Sequence, residues 1–170
     1  MTTSGNDPFH TWLAVLAGEP ELDLDPARLS DDALAWLRAV RDAHGEVAPP
    51  YLPELMLERR AALAETALAA LRAAAERDLG LPLDDLRPEV EAECEFDPIG
   101  SVGLFGEQVR ALGLEEAKVT VADAVQTFVA HVHLRVWPVC RDHGAGLHPG
   151  LTDGQAVWCC RVGGHDLPMP

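Results

Sequence analysis

Between Pro53 and Gly80 the chain reads PELMLERRAALAETALAALRAAAERDLG, and this run leaves little choice of structure. Nine of its residues are alanines (Ala61, Ala62, Ala64, Ala67, Ala69, Ala70, Ala73, Ala74 and Ala75), and most of the others are Leu, Glu and Arg. These are the strongest helix formers. Proline is tolerated in the first turn, and glycine closes a helix by taking up a left-handed conformation. The run therefore predicts one helix over Pro53–Leu79, about 40 Å long at about 1.5 Å per residue. Leu55, Met56, Leu63, Leu68 and Leu71 supply the larger apolar contacts, and the small side chains allow a neighbouring helix to approach closely. The rest of the chain has to arrange itself along this rod.

Other helices are marked by their ends. Asp7-Pro8 starts one that runs to about Ala17 and stops at Gly18. Ser30 caps DDALAWLRAVRDAH, whose stripe is Leu34, Leu37, Val40 and Arg41, and Gly45 ends it. Ser101 is read as the cap of a helix over Val102–Leu112, with Phe105, Val109 and Leu112 inward. TVADAVQTFVAHVHLRVW fits two templates. As a strand, Phe128, Ala130, Val132, Leu134 and Val136 alternate with His131, His133 and Arg135. As a helix, Val121, Val125, Phe128, Val129, Val132 and Val136 form a stripe, with Thr120 and Asp123 as a capping box and Pro138 as the stop. The helical reading has the longer stripe and is preferred. The expected fold is mainly α: a helical bundle of four to five helices over residues 1–136, then a small β-hairpin module over residues 137–170. Residues 1–7 are polar and are expected to be disordered.

The net charge is −15 and is unevenly placed. Residues 1–50 carry 9 acids against 3 bases, residues 81–116 carry 10 against 2, and residues 117–170 balance at 4 and 4. Phosphate-backbone binding needs clustered Lys and Arg, so nucleic acid and anionic membranes are poor partners. Such a surface suits a basic protein partner, or serves solubility alone. EVEAECEFD concentrates the acid by strict alternation: Val90, Ala92, Cys94 and Phe96 on one side, and Glu89, Glu91, Glu93, Glu95 and Asp97 on the other. Period two predicts a short strand near 89–97 with an acidic face. The expected partner-binding surface is one of two acidic blocks: 84–97, which contains this face, or 19–32 with Asp23 and Asp25. Alternate carboxylates along a strand do not converge on one cation.

Three of the four cysteines lie in the last 31 residues, among histidines. No Lys or Arg precedes Arg28, and the longest apolar run before it, Trp12–Ala17, is too short for a signal core or a membrane span. The expectation is a cytoplasmic chain with reduced thiols, which points to metal rather than disulfides. After Pro138, Cys140 and His143 have two residues between them, with Gly144 following. Sixteen residues separate His143 from Cys160, and Cys160 and His165 have four residues between them, including Gly163-Gly164. Asp153-Gly154 is a strong hairpin signal, and Ala156–Trp158 form a strand leading to the second pair.

Two Cys/His knuckles joined by a hairpin resemble the zinc-ribbon fold group over about residues 137–165. In that group the usual ligands are four cysteines in two C-x2-C knuckles. Here each second cysteine is a histidine, and the second knuckle is wider. The resemblance implies a bound Zn2+ held by Cys140, His143, Cys160 and His165. Neighbours on a strand face opposite ways, and a knuckle ligand sits at the strand's end, which selects Cys160 over Cys159. His148 is the reserve ligand.

Four protein ligands close a tetrahedron and leave no place for water, so the metal is read as structural. Asp142 and Asp166 are the nearest candidate carboxylates for a catalytic site. The remaining catalytic inventory is thin. There is no G-x-S-x-G, GSVGLFG lacks the Lys-Ser/Thr of a phosphate loop, and Lys118 is the single lysine. The functional expectation is a non-enzymatic accessory or regulatory protein that binds a macromolecular partner. The alternative is a metal-dependent hydrolase or lyase using an open zinc site in the same module.

Overall fold

A computed structural model of the chain describes residues 7–95 and 97–170. The expectations for the first six residues and for Phe96 lie outside the described residues. The helices open with α1 (Pro8–Ala17), where the Asp7 side chain accepts from the Phe9 N–H. In α2 (Asp31–His44) the Ser30 hydroxyl accepts from the Ala33 N–H, and Gly45 leaves with φ 77°. The long helix α3 (Leu52–Leu79) ends at a left-handed Gly80. No described helix is long and apolar enough to cross a membrane.

Helix α3 carries two hydrophobic clusters. Its first turns give Leu52 and Met56 to a cluster with Trp12 and Leu16 of α1 and Leu37 of α2. Its alanine-rich remainder, from Leu63 to Ala75, packs with α4 (Leu114–Val132), whose Ala117, Val121, Ala124, Val125 and Val129 are fully buried. The small side chains on both helices permit this close pairing. Arg60 lies between the two stretches and is 4% exposed. Its Nε donates to the Arg110 carbonyl at 3.1 Å, and its Nη1 donates to the Gly100 carbonyl and the Asp97 carboxylate at 3.3 and 3.4 Å. Burial holds the guanidinium below its ordinary pKa, against the opposing pull of Asp97. Arg59 works similarly, donating to the Leu112 carbonyl and to Asp32.

Segments 89–113 and 114–136 depart from the sequence expectation. The strand near 89–97 is shorter: β1 (Glu89–Glu91) is three residues, and the chain then turns. Glu93 and Glu95 sit beyond the strand, and Asp97 leaves the acidic face to meet Arg60. The helix expected over Val102–Leu112 is instead a hairpin of β2 (Ser101–Leu104) and β3 (Glu107–Gln108). Phe105 and Gly106, at φ 44° and 91°, make a two-residue turn with both φ positive, and Phe105 is part-exposed at the turn with its ring packed edge-on against the buried Phe128. The order β1–β2–β3 is antiparallel throughout.

The segment read as helix or strand is a helix, but it begins six residues before Thr120. Gly113 is its N-cap, and Thr120 lies inside it, its hydroxyl donating to the Glu116 carbonyl. It ends at Val132, ahead of Pro138, so Val136 is exposed.

The second sheet is β4 (His148–Thr152), β5 (Gln155–Cys160) and β6 (His165–Pro168), again antiparallel in that order. The fold is thus mixed, with four helices and two three-stranded sheets among the described residues and a C-terminal β part. The buried side chains of that β part, among them Trp137, Leu147, Ala156 and Trp158, belong to the same cluster as α3 and α4. Trp137 stacks edge-on against Trp158 and donates its Nε1–H to Asp78 at the end of α3. From the first turn of α4, Glu115 accepts from the Ala156 N–H at 2.8 Å and from Lys118 at 3.0 Å. Burial pushes the Glu115 carboxyl up, but these two donors outweigh it and hold it below the usual carboxylate range.

Two stability predictions follow from these anchors. Removing one partner of a buried ion pair strands the other, at a cost of about 3 kcal/mol. Asp97→Ala should lose that amount in urea unfolding, and a loss under about 0.5 kcal/mol, typical of surface changes, would show that Asp97 is not needed. A depressed carboxyl stabilises the fold above its unfolded pKa of about 4.3 and loses that contribution as pH falls through its folded value. Between pH 5 and 3 the wild type should therefore lose on the order of 1 kcal/mol more than Glu115→Gln.

Candidate metal centre

The two knuckles are built by the same backbone device. In the first, the Cys140 N–H donates to the Ala145 carbonyl, and the Gly144 N–H donates back to the Cys140 carbonyl, both at 2.8 Å. Gly144 has φ 62°, a left-handed value that glycine takes without strain. In the second, the Gly164 N–H donates to the Cys160 carbonyl at 2.8 Å, and Gly164 has φ 61°. The Gly163 N–H donates to Cys160 Sγ at 3.4 Å, a bond that stabilises a thiolate. Asp153 and Gly154, at φ 51° and 76°, make the turn between β4 and β5 that their sequence signals.

Helix α4 holds the base of the first knuckle. Gln126 donates from Nε2 to the carbonyls of Trp137 and Leu147, at 3.1 and 2.7 Å. These two carbonyls bracket the loop that carries Cys140 and His143. Gln126 is not marked out in the sequence, because it reads as an ordinary polar residue of an amphipathic helix. Only the tertiary contact identifies it.

Cys140, His143, Cys160 and His165 converge, with one ligand atom from each lying within 4.8 Å of the others. His143 presents Nδ1, which is 3.4 Å from Cys140 Sγ and 3.6 Å from Cys160 Sγ. His165 presents Nε2, at 3.5 Å from Cys140 Sγ. A tetrahedron with Zn–S of about 2.3 Å and Zn–N of about 2.0–2.1 Å has S···N edges of about 3.5 Å, so the donor set fits a zinc ion. Both cysteines are buried, His165 is half-buried and His143 is exposed. The sulfurs thus face the protein and the imidazoles face water. Among the described residues no carboxylate joins the group.

The other candidates fall elsewhere. Along β5, Ala156, Trp158 and Cys160 are buried, while Cys159 is on the opposite face. There it pairs across the sheet with His148 on one side and Asp166 on the other. Burial, reinforced by the Asp166 carboxylate, pushes the Cys159 thiol pKa up. Neither His148 nor Asp166 joins the four. Asp142 is exposed at the rim of a cleft of about 670 Å³ between α3, the first knuckle and β6. Glu89, Glu91, Glu93 and Glu95 are all exposed.

Gly163 is a site residue whose role only the geometry explains. It stands three after Cys160, as His143 stands three after Cys140. A Cβ there would lie 2.3 Å from His143 Cε1 and 2.7 Å from His165 Nδ1. The second knuckle therefore leaves its usual ligand position empty of side chain and draws its imidazole from the first residue of β6.

Comparison with family models, with curated proteins and with solved structures returns no match, so the centre is read from its own geometry. That geometry makes a prediction. Gly163→Ala should weaken zinc binding at least tenfold in a chelator competition, because metal-fixed imidazoles cannot move aside. Its unfolding midpoint without metal should change little. Unaltered zinc affinity would show that the space above Gly163 is not needed.

Proposed function

We propose that Cys140, His143, Cys160 and His165 hold a structural zinc ion in a zinc-ribbon-like module, and that the chain is a non-enzymatic accessory or regulatory protein. The observation that carries this reading is the closed donor set: two sulfurs and two nitrogens at tetrahedral spacing, with no carboxylate among them. Zinc is the borderline-soft ion that such a mixed thiolate and imidazole set suits. A metal with four protein ligands does no Lewis-acid chemistry on a substrate, because no coordination position is open. Its effect is on folding: it ties the two knuckles, and through them β5 and β6, into one piece.

The work of such a protein lies in binding. The net charge of −15 and the exposed Glu89, Glu91, Glu93 and Glu95 favour a basic protein partner, drawn in by long-range attraction. Nucleic acid is disfavoured by the same charge. Two reduced thiolates as ligands fit the reducing conditions of the cytoplasm.

Two measurements test the reading. Zinc K-edge absorption on the loaded protein should show two sulfur and two nitrogen neighbours. A bound water in place of one ligand would favour a metal-dependent hydrolase or lyase instead. Joint substitution of Glu89, Glu91, Glu93 and Glu95 by lysine should abolish capture of basic partners and leave zinc content unchanged. Retained capture would reject that surface.

A further inference from the structure

The outer face of the C-terminal sheet carries a second set of metal donors. Register puts His148 opposite Cys159, and Cys159 opposite Asp166. Directly paired residues on neighbouring antiparallel strands share a face, with Cβ atoms about 5 Å apart. The three side chains thus form one row across β4, β5 and β6. Cys160 and His165, the adjacent pair, belong to the other face and to the first centre. His148 and Asp166 are exposed, and Cys159 is half-buried between them.

The surroundings suit a cation. The Cys159 sulfur leans over Gly150, where a Cβ would come within 2.9 Å of it, so the missing side chain makes room for the thiol. Asp166 stands opposite the same cysteine on β6. Asp123 of α4, whose carboxyl is pushed up by burial and by Glu107 of β3, feels the opposing pull of His148. The ligand atoms of the row are not gathered within 4.8 Å as the first four are. Closing the row around an ion requires the exposed His148 and Asp166 side chains to rotate, and Asp166 to give up the hydrogen bond that its Oδ2 accepts from the Thr152 hydroxyl at 2.7 Å.

We infer that His148, Cys159 and Asp166 form a second metal site, for a borderline-soft divalent ion such as zinc. One sulfur, one nitrogen and one oxygen are the donors such ions accept, and hard ions such as calcium refuse a thiolate. Three protein ligands leave the fourth position to water, so this site is open where the first is closed. An exposed site whose side chains must first rotate binds more weakly than a pre-gathered one, and it fills second.

Cobalt(II) titration of the full chain tests this, because the sulfur-to-metal charge-transfer band counts thiolates. The expected wild-type course is one equivalent with two-thiolate intensity, then a second with about half that increment. Cys159→Ser, His148→Ala and Asp166→Asn should each lose the second step and keep the first, which also reports that the sheet is intact. Saturation at one equivalent in the wild type would overturn the inference, as would a second step that survives in all three variants. A first step lacking two-thiolate intensity would instead count against the closed centre. The two readings therefore fail separately.

Discussion

The alanine-rich face of α3 is the constraint on which the rest of the molecule depends. A helix with larger side chains from Leu63 to Ala75 would hold α4 further away, and α4 positions the cluster of Cys140, His143, Cys160 and His165. Through Gln126 it grips both ends of the first knuckle, and through Glu115 it grips the start of β5. Each bond satisfies a backbone group that is partly withdrawn from water, and leaving such a group unpaired costs more than the bond returns. The tail is thus aligned by polar contacts to a helix that is itself set by close apolar packing.

Arg60 explains how one helix serves two clusters. A long helix gains from burying its whole length, yet the chain has separate apolar layers for its two ends. At the seam the backbone of residues 97–112 must run past α3 with carbonyls facing it. A guanidinium has five donors in a fixed fork and remains charged when desolvated, so it can serve two carbonyls and a carboxylate at once. Arg59, one residue earlier, ties the far end of the same segment and links it to α2 through Asp32. These contacts also explain why Asp97 leaves the acidic run. Its value as the partner of a buried cation exceeds its value on a solvated face.

How much of this was legible in the sequence depended on whether a local rule decided the structure. The caps of α1 and α2, the limits of α3, the Asp153-Gly154 turn and the assignment of Cys160 rather than Cys159 follow from neighbours within a few residues, and each could be read. The helix expected over Val102–Leu112 could not, because Phe105 accepts a positive φ that phenylalanine seldom takes. Strand pairing with β1 supplies the reason, and pairing is not a local property. The start of α4 was missed for a related cause. Thr120 and Asp123 look like a cap, but Gly113 already starts the helix, supported by the Asp32 carboxylate accepting from the Leu114 N–H. The roles of Gln126 and Gly163 were not legible, since one acts through distant carbonyls and the other through the space it leaves.

The centre's two halves show how an unequal sequence can yield near-equivalent geometry. Both knuckles bend at a left-handed glycine four residues after the cysteine, Gly144 and Gly164. They differ in where the imidazole comes from. His143 lies inside its turn and reaches the sulfurs with Nδ1, the nitrogen nearer its backbone. His165 lies on the strand beyond its turn and must use Nε2, the nitrogen at the far end of the ring. The longer reach of Nε2 compensates for the two-residue displacement, but only if nothing fills the space between, which is why position 163 has no side chain. The wider spacing, the choice of nitrogen and the bare glycine are one adjustment. The same displacement sets His165 directly opposite Cys160, and so turns Cys159 and Asp166 together to the other face. A second C-x2-H knuckle would have had no ligand on β6, and the row of His148, Cys159 and Asp166 would have had no register to hold it.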